Sequence, residues 1–304
     1  MRVSEPPSTW QITVVLGVGI LAASTAAILI RLAMVTAGTA GVGFSLVLAA
    51  SRLSLAAIAL LPGWRPLDST PTTPAALRYA CAAGLMLAIH FASWITSLSY
   101  TSIAASTTLV TTNPIWIALL SWVWFREKPG KWTIAGIGIA LSGGLTIGLG
   151  GTHASTGSHP LLGDTLALVG AWTASLYFLL GREAQRRGLP LGSYITAAYS
   201  VAAIALLPLP LLLQTPYTGY PAATYGYILL LALLPQLVGH TSFNWAVRWA
   251  SPTLVALVIL FEPVISSLLG YWLFGETPGT TVLLGAILLL LGVAVAALHQ
   301  GKEQ

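Results

Sequence analysis

The chain has 304 residues, of which 56% are hydrophobic and only 7% are Asp, Glu, Lys or Arg. A soluble domain has about a quarter of its residues charged, so so few charges cannot coat a water-facing globule. The formal net charge of +5 does not indicate a nucleic-acid partner, because the basic residues fall in short loops between apolar runs. The single cysteine, Cys81, excludes an intrachain disulfide.

In chain order, polar Met1–Thr9 leads into an apolar run with no A-x-A-like site, so no cleaved leader is expected. Spans are expected near 11–30, 42–61, 79–98, 103–125, 133–150, 162–181, 192–213, 225–247, 252–274 and 280–298. Most approach the roughly twenty residues that a ~30 Å hydrocarbon core demands of a helix. The runs do not alternate, and lipid accepts only helices or closed barrels. The expected fold is therefore all-α integral membrane, with ten transmembrane helices. With the N-terminus in the cytoplasm, Arg2, Arg65, Arg78, Arg126, Lys128, Lys131, Arg182, Arg186, Arg187, Arg248 and Lys302 all fall inside, and only Arg31 falls in an outside loop. That positive-inside bias predicts that both termini are cytoplasmic.

Polar residues within the spans are the candidates for function, since ionisable groups there are costly. Arg52 sits in span 2 and needs a carboxylate or carbonyl partner; Glu262 and Asp164 are the carboxylates within or beside spans. His90 and Trp94 share a face of span 3, and His240 and Asn244 share a face of span 8. Without a cysteine or carboxylate cluster beside the histidines, no metal is expected. Trp116, Trp172, Tyr177 and Tyr271 are deep aromatics that would line a pocket with Asn113 and Glu262. Lipid-facing or core packing is the competing reading of each. Glu262, in mid-span before Pro263, is a candidate for proton exchange; hydrogen bonding to a carbonyl freed by that proline is its structural alternative.

The stretch "TNPIWIALLSWVWFREKPGKWTIAGI" (112–137) repeats as "FEPVISSLLGYWLFGETPGTTVLLGA" (261–286) at a constant offset of 149. Pro114 matches Pro263, Glu127 matches Glu276, Gly136 matches Gly285 and Gly143 matches Gly292. The offset carries span 4 onto span 9 and span 5 onto span 10, so the halves 1–150 and 151–304 each hold five spans. An odd number inverts the second copy, the plan of many secondary transporters. Pro114 and Pro263 break their helices at mid-depth, a natural place for a central site and its gates. Glu127 and Glu276 end spans 4 and 9 on opposite sides, where they would cap helix N-termini, meet loop cations or gate. Small-residue faces in spans 5 and 10 suit internal packing or a homodimer contact, leaving monomer and homodimer open.

A mid-span proline, an apolar stretch, a Gly-Glu or Arg-Glu pair and a following proline resemble the EamA repeat of the drug/metabolite transporter superfamily, including its YddG-like amino-acid exporters. "FEPVISSLLGYWLFGETP" carries the resemblance in the second half and "TNPIWIALLSWVWFREKP" in the first, with Arg126 where glycine is usual. The resemblance implies ten helices around a central cavity and export of a small solute, often an amino acid, across the inner membrane, without a cofactor. Import, or carriage of a nucleotide-linked sugar, amine or drug, stays open, as does coupling to protons. An intramembrane enzyme is disfavoured by the lack of an aspartate-rich, nucleophile or zinc motif. A receptor-like role is disfavoured because it needs no second gate.

Overall fold

The computed structural model describes residues 7–61, 73–125, 130–154, 159–250, 255 and 258–300. All regular structure among them is helical: α1 (Thr9–Ser24), α2 (Ala26–Ala37), α3 (Val42–Leu60), α4 (Pro74–Ser97), α5 (Ile103–Val110), α6 (Asn113–Phe125), α7 (Lys131–Ala154), α8 (Pro160–Arg186), α9 (Leu191–Leu206), α10 (Pro208–Leu212), α11 (Ala222–Leu231), a π-helical stretch (Ala232–His240), α12 (Thr241–Trp249), α13 (Glu262–Phe274) and α14 (Thr280–Gln300). Seven helical stretches among the described residues are long and apolar enough to cross a membrane: Thr9–Ala37, Val42–Leu60, Pro74–Ser97, Ile103–Leu120, Pro160–Arg186, Leu191–Leu212 and Ala222–Trp249. Shorter apolar stretches occupy Ile134–Thr146 and Thr280–Val295. Large apolar side chains such as Val18, Ile58, Leu145, Ile204 and Leu291 lie exposed around the bundle. In water so much apolar surface would aggregate; in a bilayer it meets lipid. The chain is a multi-pass, all-α membrane protein.

The sequence explains where the helices stop. The run Thr111-Thr112-Asn113-Pro114 breaks the fourth apolar run into α5 and α6. Pro114 has no N–H to offer the carbonyl of Val110. Around this break, Thr107, Thr108 and Thr111 turn their hydroxyls onto the carbonyls of Ile103, Ala104 and Thr107, at 2.7, 2.6 and 3.0 Å. Such back-bonding keeps a hydroxyl satisfied in lipid and bends the helix. The repeat places the second break identically: α13 begins at Glu262, the counterpart of Asn113, with Pro263 next. Gly275 ends α13 in the left-handed conformation (φ 65°), its N–H bonded to Tyr271 O at 3.0 Å. Without a Cβ it adopts that turn freely, and Glu276 follows it.

α7 and α14 make the tightest pairing. A Cβ added to Gly143 would strike the backbone of Gly285 and Leu289; one added to Gly292 would strike the backbone of Gly136 and Ala140. These are repeat-related positions, so the contact is reciprocal, and the helices run antiparallel across it. Small residues let two helix backbones meet where apolar burial offers no drive. Elsewhere Gly84 brings α4 onto α9 at Ala198 and Val201, and Gly19 brings α1 onto α12 at Ser242.

Gly143→Ala and Gly292→Ala should each destabilise the detergent-solubilised protein by about 1–3 kcal/mol, the usual cost of overpacking. Gly138→Ala, where no atom lies within 4 Å of the new Cβ, should be neutral or slightly stabilising. Thermal unfolding followed by size-exclusion chromatography distinguishes the three.

Candidate functional site

Both half-helix starts face the middle of the bundle. There, a cavity of about 40 Å³ is lined by His90 and Trp94 of α4, Asn113, Pro235 and His240 of the π stretch, and Glu262. Its apolar walls include Ala23, Ala26, Val110, Phe178, Phe243 and Ile259. Thus five of the residues singled out from the sequence, far apart in the chain, meet around one space.

Their local chemistry is specific. With its amide nitrogen turned towards the carbonyls, Asn113 donates to Val110 O (3.1 Å) and Ala171 O (3.0 Å). The Val110 carbonyl that Pro114 deprives of a donor is thereby satisfied by the next side chain along. His90 donates from Nδ1 to Gly170 O at 2.9 Å; a carbonyl only accepts, so Nδ1 carries hydrogen and, in the neutral ring, Nε2 is the acceptor. A Cβ added to Gly170 would come within 3.2 Å of Trp94 Cβ, so the glycine lets α8 lie close to α4. The His90 ring stacks on Trp94 with centroids 5.9 Å apart and faces His240 at 6.3 Å. Trp94 Nε1 and His240 Nδ1 are buried without a hydrogen-bond partner. Buried polar atoms normally find partners; here two nitrogens lie unmatched among the residues that line a cavity with a carboxyl in its wall.

The π stretch explains a detail of the repeat. His90 aligns with Gly239, one residue before His240. A π turn bonds i to i+5 and holds one residue more than an α turn. It puts Pro235 and His240 on one face and advances His240 by the missing residue. Asn244, expected to join His240, points elsewhere: its Nδ2 donates to Tyr177 Oη at 2.6 Å. That pair is buried but does not line the cavity.

Other expected residues lie farther out. Trp116 donates from Nε1 to Thr112 Oγ1 (3.1 Å) and lines a separate groove between α6, α7 and α8. Trp172 and Tyr271 are 44% and 54% exposed on the outer surface; neither lines the cavity. Pro114 and Pro263 are buried at the two half-helix starts. Glu127 lies outside the described residues. Arg52 is wholly buried. Among the described residues its partner is neither carboxylate: Nε donates to Gln236 Oε1 at 2.9 Å, and the guanidinium lies 4.0 Å over the Phe91 ring. Phe91 in turn meets His240 edge-on at 5.2 Å, so the cation sits one ring behind the cavity. Gln236 stands out in the sequence only as a polar residue within span 8, and Phe91 carries no signal that separates it from other span residues.

Glu276 forms a latch at one end of the bundle. Its Oε1 accepts from Arg31 Nη1 at 2.8 Å, and its Oε2 accepts from the Ile103 N–H at 3.1 Å, at the N-terminus of α5. Arg31 Nη2 also donates to the carbonyls of Leu98 (3.1 Å) and Thr101 (3.2 Å). One ion pair thereby ties α2, the α4–α5 connection and the end of α13. From the cavity's other side, a smaller void of about 20 Å³ shares Asn113, Phe178 and Ile259 with it and reaches Arg182.

The chain matches the EamA-like transporter family over residues 9–149 and again over 161–298. An uncharacterized transporter of Archaeoglobus fulgidus is 24% identical over 67% of this chain and 70% of its own length. A "Probable terminal-alkyne amino-acid exporter" of Streptantibioticus cattleyicolor is 29% identical over 61% of each chain. A crystal structure at 21% identity superposes with a TM-score of 0.60, covering 96% of this chain and 98% of its own, and shares the fold. The chain belongs to the EamA-like transporter family, and is a membrane transporter of a small solute rather than an enzyme.

Gln236→Leu should leave the buried Arg52 without its neutral partner and lower stability by roughly 1–3 kcal/mol, the cost of an unsatisfied buried polar group. Gln236→Glu, which keeps an acceptor, should retain most of it. Thermal unfolding of the two purified variants measures the difference.

Proposed function

We propose that this EamA-like transporter is a secondary carrier that moves an amino acid, with an apolar or aromatic side chain, out of the cytoplasm by alternating access. The observation that carries the reading is the central cavity, where the Glu262 carboxyl shares one wall system with the unpartnered nitrogens of Trp94 and His240. A zwitterion complements that set: its ammonium pairs with Glu262, its carboxylate takes the indole N–H and a protonated imidazole nitrogen, and Phe178, Phe243 and Val110 receive an apolar side chain. Amino-acid export named for the Streptantibioticus relative supports the same class.

The chain is read as ten spans in two inverted five-helix repeats, 1–150 and 151–304, with both termini cytoplasmic and the protein in the inner membrane. Seven long spans, together with α7, α13 and α14, supply ten apolar segments. The reciprocal glycine contacts of α7 and α14 and the matched starts at Asn113 and Glu262 support a pseudo-twofold axis between the halves. In this frame the Arg31–Glu276 latch seals the outside, and the void towards Arg182 marks the cytoplasmic approach.

Size argues for motion. Ligand pockets run to about 300–1,000 Å³, whereas the cavity of about 40 Å³ has room for little beyond water. That small volume supports reading the structure as a state closed around the site. Loading requires Phe178 and Ile259 to part on one side, and release requires the latch to open on the other. The breaks before Asn113 and Glu262 are the natural hinges, since no continuous α-helical bonding crosses them.

Counterflow in proteoliposomes across amino acids, amines and sugars tests the substrate class. Exchange of an apolar amino acid is expected; selective exchange of sugars or amines, or chemical change of the solute, overturns the reading. Glu262→Gln should weaken amino-acid exchange on the order of ten- to hundredfold, as for loss of one charge-assisted hydrogen bond. If Glu262 also carries protons, the variant loses any acceleration by a pH gradient; acceleration that survives rules that coupling out. In a Cys81→Ser background, cysteines placed at 130 and 277 should react with an impermeant maleimide from opposite sides of the membrane. Reaction from the same side would refute the inverted repeat.

A further inference from the structure

Between α6, α7 and α8 lies a groove of about 360 Å³, separate from the central cavity. Its walls are almost wholly apolar: Leu109, Ile115, Ile137, Leu145 and Leu168 among them. Leu141, Leu145 and Leu161, at its rim, are 59%, 69% and 60% exposed, so it opens sideways into the region that lipid occupies. Among the lining side chains stands one ionisable group, Asp164, only 6% exposed, near the start of α8.

The hydrogen bonding within the groove leaves one atom over. Thr112 donates to Leu109 O and receives the Trp116 N–H, and Thr165 donates to Leu161 O. Asp164 Oδ1 accepts from Thr101 Oγ1 at 2.9 Å. Asp164 Oδ2 is buried with no partner. A carboxylate at this depth with half its acceptors unused is costly, and helix packing alone does not call for it: Gly163, beside it, already gives α8 its close approach to Thr101.

We propose that this groove is a binding site for a single-chain alkylammonium amphiphile that enters from the bilayer, its ammonium N–H donating to Asp164 Oδ2 and its chain lying along Leu109, Ile137, Leu145 and Leu168. The volume suits a small-molecule ligand. Charge complementarity selects the head group: the lining contains one acid and no Lys or Arg, so a phospholipid, whose phosphate would accompany any ammonium, meets no counter-cation. The site also adjoins the latch. Thr101 gives its hydroxyl to Asp164 and its carbonyl to Arg31, so an occupant bears on the same residue that helps to hold that end closed.

The test uses the full chain in lipid nanodiscs and dodecylamine bearing a diazirine near its chain end. Irradiation should label residues 137–145 and 161–168 saturably, and unlabelled dodecylamine should compete while dodecanol should not. Asp164→Asn should reduce saturable labelling on the order of tenfold, as for loss of a charge-assisted hydrogen bond. Gly144→Leu should abolish it from the opposite wall, where the nearest atoms to a new Cβ, at 3.8 and 4.0 Å, leave room for a side chain to grow into the groove. Equal competition by dodecanol on the unmodified chain, or undiminished labelling of well-folded Asp164→Asn, overturns the proposal and makes the groove a seat for any acyl chain. Labelling confined to the central cavity residues overturns it equally.

Discussion

A peptide carbonyl that loses its donor in the middle of a bilayer has no water to turn to. That constraint organises the centre of this protein. Pro114 withholds the N–H that Val110 O would otherwise receive, and the chain answers with the neighbouring amide of Asn113. The helix then ends instead of merely kinking, and a new one starts with a polar side chain at its first position. The repeat copies the geometry but changes the chemistry: Glu262 stands where Asn113 does. One half spends its polar residue on backbone repair; the other presents an ionisable group to the cavity. A duplicated frame has thus been made asymmetric at the position where a bound solute would feel it.

The close approach of α7 and α14 complements those breaks. Broken helices weaken a bundle, because each break removes backbone bonds and leaves short segments with little intrinsic stability. Two uninterrupted helices meeting at Gly143 and Gly292 supply an unbroken antiparallel pair beside them. The same division recurs across the cavity, where long α4 and α8 pack through Gly170 next to the half-helices α5 and α6. Unbroken pairs thus flank the interrupted segments on both sides of the centre.

What the sequence disclosed follows from what kind of signal each feature leaves. Special residues at fixed offsets survive translation into space, so the proline breaks and the repeat-matched glycines were legible in the sequence, although whether those glycines pack internally or between copies was not. Azimuth around a helix could not. In lipid both faces of a helix are apolar, and the pattern that distinguishes inside from outside in a soluble protein vanishes. Trp172 and Tyr271 therefore read as pocket aromatics although they face outward, and Trp116 reads as a neighbour of Asn113 although it belongs to a different groove. The π turn adds a second source of error: one additional residue rotates everything after it relative to what precedes it, and Asn244, in the helix that follows, bonds to Tyr177 away from the cavity. The partner of Arg52 is missed for another reason: a carboxylate or carbonyl is expected, and the structure supplies the neutral amide of Gln236.

Arg52 shows how the charge balance of the centre is set. A guanidinium paired with Glu262 would neutralise the carboxyl and remove its use to a ligand. Here the cation is held by a neutral amide and by the face of Phe91, an arrangement worth up to about 2 kcal/mol when desolvated. It leaves Nη1 and Nη2 without hydrogen-bond partners, a condition that is stable only if the positive charge is balanced through space. Glu262, without touching it, interacts with that charge through space. A cation entering the cavity would compete with Arg52 for the same negative charge, whereas a zwitterion would bring a carboxylate of its own and leave the sum unchanged.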